Sequence, residues 1–156
     1  MVAAYDSGRC DVWTTDQSAL YANRIKLKDP SAHMVLPEVI SKEPLGPVVR
    51  QGDDQWFNIT KWSLFCMINA EEMGITSGNV KSKMGGDPAT KRLLGEEGNF
   101  GENLGVSPTW CANIIAQVGN YGESFARNVS VPPMNITRGV NELWSKGGIQ
   151  YAPPIR

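Results

Sequence analysis

Arg9-Cys-Asp-Val-Trp-Thr-Thr-Asp16 decides how the chain is read. Its β-branched and aromatic residues predict a short strand over residues 10–14, closed by two threonines and a carboxylate. Before it, Met1-Val-Ala-Ala-Tyr-Asp-Ser-Gly8 reads as the last turns of a helix whose beginning is absent. In an open α/β sheet, ligands sit outside the carboxyl ends of strands, so an acid at position 16 is a binding candidate on topology alone. These sixteen residues offer half a ligand site.

Working outward, Asp16-Gln-Ser-Ala-Leu-Tyr-Ala-Asn-Arg24 predicts a helix with Asp16 as its N-cap. Charge and an Asp-Pro pair make residues 26–31 a loop, and Met34-Val-Leu36 a brief strand. Two prolines among β-branched residues over 40–50 suit an extended segment with a free edge. From Asp53 the spacing turns helical, with Trp56, Phe57, Trp62, Leu64, Phe65, Ile68 and Met73 on one arc and a stop at Gly74. This helix, about 18 residues, is wide enough in its apolar arc to be core. Residues 76–105 form a Gly- and Asn-rich surface insertion, with short helices at Asn79 and at the Asp87-Pro88 start signal. A helix with Pro108 in its first turn, a Gly119-Asn-Tyr-Gly122 turn, a helix from Glu123 and a last helix over 137–145 precede an extended tail. The whole is a helix-rich α/β segment with few strands, too few for an independent sheet.

At 156 residues, 41% hydrophobic and 20% charged, with five tryptophans, the chain is long enough for one core and is globular in composition. Lys plus Arg total 15 against 16 Asp plus Glu, interspersed, so no basic face for nucleic acid is read. No apolar run nears the roughly 20 residues that span a bilayer, and no charged segment followed by an apolar stretch opens the chain, so no signal peptide is read in it. Cys10, Cys66 and Cys111 form no CxxC pair; each has apolar neighbours and reads as a buried small hydrophobe rather than a bridge, with no metal site implied. The single histidine, His33, lies in a polar loop and leaves no Ser/His/Asp triad to build. The sequons at Asn58, Asn128 and Asn135 are short enough to arise by chance. No cofactor motif is present.

Gly8-Arg-Cys-Asp11, Thr15-Asp16, Gly119-Asn-Tyr-Gly-Glu123, Arg138-Gly-Val-Asn-Glu-Leu-Trp144 and Gly147-Gly-Ile-Gln-Tyr-Ala-Pro-Pro-Ile-Arg156 together carry a resemblance that runs over the whole chain. They resemble the C-terminal part of a periplasmic general L-amino-acid-binding protein, the receptor of a polar amino acid ABC importer, with a partial type II periplasmic-binding-protein fold. The last three blocks in succession are the most specific; the Gly-Arg-x-Asp strand is shared more widely. The resemblance implies a two-lobed receptor: residues 1–25 end the second lobe, 26–52 form the interlobe hinge segment with a returning strand near 42–47, and 53–156 complete the first lobe. It implies an L-amino acid ligand, a membrane permease as partner and a periplasmic location. The signal peptide, the start of lobe one, most of lobe two and the arginine that holds the ligand carboxylate in such receptors fall outside the resemblance.

A zwitterionic ligand needs a fixed anion for its α-ammonium and a cation for its carboxylate, since a buried charge must be paired and hydrogen-bonded. Asp16 supplies the first. The same residue also suits a plain helix cap, and the two roles coexist. Thr14 and Thr15 offer hydroxyls as secondary contacts, although threonine in a strand is first of all a good β former. Arg9 and Asp11 read as a local surface pair, and Trp56, Trp62, Trp110 and Trp144 as core anchors. Two rival readings remain: a binding-inactive fragment that self-associates through exposed lobe surfaces as a homo-oligomer, and a small-acid dehydratase of the same fold, for which no paired acid and base are visible.

Overall fold

A computed structural model describes residues 1–156. The chain divides into two compact units, one made of Met1–Gly46 with Val129–Thr137 and the other of Pro47–Asn128 with Arg138–Arg156.

The first unit carries two helices, α1 (Val2–Asp6) and α2 (Gln17–Arg24). The segment between them is not a strand: residues 10–14 have no regular structure beyond a bend at Asp11 and no ladder partners, and residues 34–36 form no strand either. A strand exists only against another strand that takes up its N–H and C=O groups, and this unit contains none. What orders the region is side-chain chemistry. The Tyr5 hydroxyl lies 2.9 Å from His33 Nδ1, the Tyr5 and Trp13 rings are 6.2 Å apart, and Asp6 accepts the Lys28 amide at 3.2 Å. Asp29 caps a single 3-10 turn over Pro30–Ala32. Arg9 and Asp11 are both exposed and take part in none of the four ion pairs, so the expected surface pair is not made.

The second unit is built on α3 (Asp54–Glu72), the helix expected from the spacing. Asp53 caps it by accepting the Trp56 amide at 2.9 Å, and Gly74 at φ +65° ends it in a conformation that costs a residue with a Cβ. Its C-terminal end buries Cys66, Ile68 and Ala70. Four short helices follow: α4 (Val80–Lys83), α5 (Pro88–Leu94), α6 (Phe100–Asn103) and α7 (Trp110–Val118). Asp87 caps α5 through the amides of Ala89 and Thr90, and Pro88 occupies the first turn, as the start signal predicts. Gly95 ends α5 at φ +83°, where a Cβ would lie 1.9 Å from the Pro108 carbonyl oxygen, so glycine alone lets the two segments close. Pro108 itself precedes the α7 N-cap, Thr109, rather than starting the helix. Ile75, Leu94 and Ile115 are fully buried between these elements, each worth about 1.5–3 kcal/mol of burial.

Cys66 and Cys111 are joined in a disulfide that ties α3 to α7, which corrects the reading of both as free buried thiols. Both residues are apolar-flanked because the bridge lies in the core; spacing of 45 residues carried no sign of it. Cys10 is a free, exposed thiol. Trp110 is buried and Trp62 packs against the core, whereas Trp56 and Trp144 are each 53% exposed; Trp144 lies at the surface, donating its indole N–H to Glu72 at 3.2 Å with its ring edge-on to Tyr151.

Helix α8 (Tyr121–Asn128) begins two residues earlier than expected, and the last expected helix is instead two 3-10 turns, Gly139–Asn141 and Trp144–Lys146. The reason is local: Leu143 pairs in a parallel bridge with Gln150, and the Glu142 carbonyl accepts the Gln150 amide at 3.0 Å, so this backbone bonds to the tail instead of to itself. That bridge is the sole β pairing in the chain. The tail is fixed to the unit where Asn69 donates to the Pro153 carbonyl at 2.9 Å and Arg92 to that of Ile155 at 3.4 Å. No helix is long and apolar enough to cross a membrane.

Candidate functional site

A bend at Thr15 delivers Asp16 to the start of α2. Its backbone is extended (φ −51°, ψ 139°) and its carbonyl accepts the Leu20 amide at 2.9 Å, which opens the helix. The carboxylate behaves differently. It is half-buried, accepts no hydrogen bond from the α2 amides and belongs to no ion pair. Not engaged by its own helix, the side chain has acceptor capacity for a cationic donor.

Thr14 and Thr15 stand beside it, both exposed, with their hydroxyls available. Trp13 is half-buried, and its indole N–H is shielded from solvent without an acceptor. A short segment thus holds an uncommitted anion, two hydroxyls and one uncommitted N–H donor. The supporting aromatic group of Tyr5, Trp13 and His33 escaped the sequence reading, because a contact spanning 28 residues has no local signature and His33 looked like a loop residue. No group of three or more His, Cys, Asp or Glu side chains is arranged to hold a metal ion.

The most distinctive motifs lie in the second unit and build structure. In Gly119-Asn-Tyr-Gly-Glu123, Asn120 accepts the Glu123 amide at 2.9 Å while Glu123 accepts the Asn120 amide at 2.8 Å, a reciprocal capping box at the start of α8. Glu123 also accepts the Ser77 hydroxyl at 2.6 Å and the Ser77 amide, and Asn120 donates to the Ile75 carbonyl, clasping α8 to the loop after α3. Partial burial alone would raise the Glu123 carboxyl, but the bonds from Ser77 and Asn120, with Arg127 nearby, outweigh it and hold the group below the usual carboxylate range. In the Arg138–Trp144 block, Arg138 pairs with Glu71 of α3 and lies 5.2 Å from the centroids of both the Tyr121 and Phe125 rings. Burial pushes the Tyr121 phenol up, opposed by Arg138 and assisted by Glu71.

No protein-family model matches the sequence. Among curated proteins it is 59% identical over 158 residues to the general L-amino acid-binding periplasmic protein AapJ of Rhizobium johnstonii, covering 99% of this chain and 46% of that protein. It is 42% identical over 155 residues to the glutamate/glutamine/aspartate/asparagine-binding protein BztA of Rhodobacter capsulatus, covering 97% and 46%. Among solved structures, an ABC transporter periplasmic binding protein from Brucella ovis with glutathione bound superposes with a TM-score of 0.90 at 52% identity, covering 99% of this chain and 50% of that one. The chain therefore spans about half the length of the relatives it matches. The likeness gives it a partial periplasmic-binding-protein fold, helix-rich as expected, and its relatives are solute-binding proteins rather than enzymes.

Proposed function

Since the chain belongs by sequence to the solute-binding proteins of amino acid ABC transporters and spans about half of one, we propose that it forms part of a periplasmic receptor that captures L-amino acids for a membrane permease. In this reading Asp16 accepts the ligand α-ammonium, with Thr15 and Thr14 as secondary hydroxyl contacts. One observation carries the assignment: the Asp16 carboxylate stands at the N-terminus of α2 without bonding to it. Chemistry supports the choice of group. Glutamate, glutamine, aspartate, asparagine and glutathione, named with the relatives, differ in side chain and length but share an α-ammonium. A single carboxylate that reads that group serves all of them. Residues 1–25 then belong to the second lobe, 26–52 to the hinge segment and 53–156 to the first lobe.

Magnitudes limit what the chain does alone. Micromolar capture takes about 8 kcal/mol, and a buried charge left without its partner costs on the order of 2–5. With no cation assigned to the ligand carboxylate, the isolated chain binds too weakly to be useful. Calorimetry of this chain with a mixture of L-amino acids is expected to show no heat above dilution. A chimera in which the chain replaces its counterpart in the Rhizobium johnstonii protein is expected to bind an L-amino acid at micromolar concentration. Clear micromolar binding by the chain alone contradicts the first expectation, and a folded, inert chimera the second.

A further inference from the structure

From Ser7 to Ser18 only Trp13 and Asp16 are half-buried; every other residue is exposed. No backbone N–H or C=O of residues 10–15 forms a hydrogen bond within the chain, so the main chain does not fix the direction in which this segment approaches α2. A core does not fix it either: Leu27 and Ile136 are the only buried hydrophobic residues of the first unit. One aromatic stack remains. The Tyr5 ring lies 6.2 Å from the Trp13 ring at 48° and 5.2 Å from that of His33 at 56°, both within the roughly 4.5–7 Å at which tilted rings attract. The Tyr5 hydroxyl is held 2.9 Å from His33 Nδ1, and a hydroxyl both donates and accepts, so the contact survives in either tautomer of the imidazole. A second tie joins α1 to the same loop, where Asp6 accepts the Lys28 amide at 3.2 Å. Trp13 therefore rests on a platform fixed at two points.

We propose that Trp13, braced by Tyr5 and His33, is a positioning residue: it fixes the bend at Thr15 so that the Asp16 carboxylate stands clear of the α2 amides and is presented to a ligand α-ammonium. An aspartate at the start of a helix ordinarily bonds to the amides of the first turn, and Asp16 does not. The difference comes from the backbone that enters the helix, and the nearest fixed point of that backbone is Trp13, three residues upstream. A site that reads one charged group keeps its affinity only while that group is held to within about 0.5 Å by side chains locked in their own packing. The Trp13 indole N–H, shielded and without an acceptor, adds no bond, so the packing of the ring alone makes the anchor. Trp13 exerts this role through Asp16, and the role rests on the assignment of the α-ammonium to that carboxylate.

Amide NMR relaxation on this chain reads the order of the segment without any ligand. Thr14, Thr15 and Asp16 are expected to show order parameters of about 0.85, falling below about 0.6 in Trp13→Leu and recovering in Trp13→Phe, which keeps a ring and loses no hydrogen bond. Where Trp13→Leu does not fold, Tyr5→Leu removes the platform and is expected to give the same fall. Equal order parameters in a folded variant and the wild type overturn the proposal. At the ligand, calorimetry uses the chimera with L-glutamate and L-glutamine. Trp13→Leu is expected to weaken both about tenfold, with Trp13→Phe restoring most of the affinity, and to weaken them by less than about threefold once Asp16→Ala is present. A loss of equal size in the Asp16→Ala background overturns the proposal, because it marks a structural effect that does not pass through Asp16. Order parameters that fall as expected while Asp16→Ala leaves binding unchanged count against the Asp16 assignment alone.

Discussion

Arg138 and Glu71 meet through two parallel hydrogen bonds, Nη1 to Oε1 at 3.0 Å and Nη2 to Oε2 at 3.2 Å, with side chains only 15% and 10% exposed. The same guanidinium donates to the Asn141 carbonyl at 2.9 Å from Nη2 and 3.1 Å from Nε. This pair links α3 to the C-terminal turns across Gly122, where a Cβ would lie 2.9 Å from Arg138 Nη1 and from Glu71 Oε1. Removing one member of a largely buried charge pair leaves the other without compensation, so Arg138→Ala is expected to cost about 3 kcal/mol in urea denaturation. Replacing both, as Arg138→Met with Glu71→Leu, is expected to cost less than the single change. Gly122→Ala is expected to destabilise by about 1 kcal/mol through overpacking.

The Cys66–Cys111 bridge closes a loop of 45 residues between the two helices that frame the core. A cross-link over that length restricts the unfolded chain by about 4 kcal/mol in the chain-entropy treatment. Urea midpoints with and without reductant are expected to differ accordingly. A thiol reagent is expected to label one group per native chain, the exposed Cys10, and three after unfolding and reduction. Three reactive thiols without reductant would contradict the bridge.

Acid sensitivity follows from Glu123. Its folded value lies below the ordinary 4.5, so the stability it contributes is present above the unfolded value and is lost as pH falls through the folded one. Between neutral pH and the ordinary carboxyl range the contribution stays constant. Glu123→Gln keeps part of the capping geometry but cannot ionise; the difference in stability between wild type and variant is expected to shrink as pH falls below 4.5. A difference that grows on acidification would contradict the clasp.

The second unit was the more legible in sequence, for physical reasons. Asp53 and Gly74 bound α3 with a cap and a positive-φ stop, and Asp87-Pro88 opens α5, because these signals act within one turn of chain. Features set by distant partners were not legible. The disulfide depends on α3 and α7 packing together, the turns over 139–146 depend on Gln150, and a strand at 10–14 would depend on neighbours that this chain does not supply. At the candidate site, position 16 could be singled out from strand-to-helix topology even though no strand forms. That its carboxylate leaves the α2 amides alone is a matter of rotamer and backbone bend, which sequence does not encode locally.

The most direct test of the receptor reading is the affinity of the chimera carrying Asp16→Ala. Calorimetry with the amino acid that the parent chimera binds is expected to show affinity reduced by about 30-fold or more, the consequence of leaving the α-ammonium unpaired. Unchanged affinity in a folded Asp16→Ala chimera would contradict it.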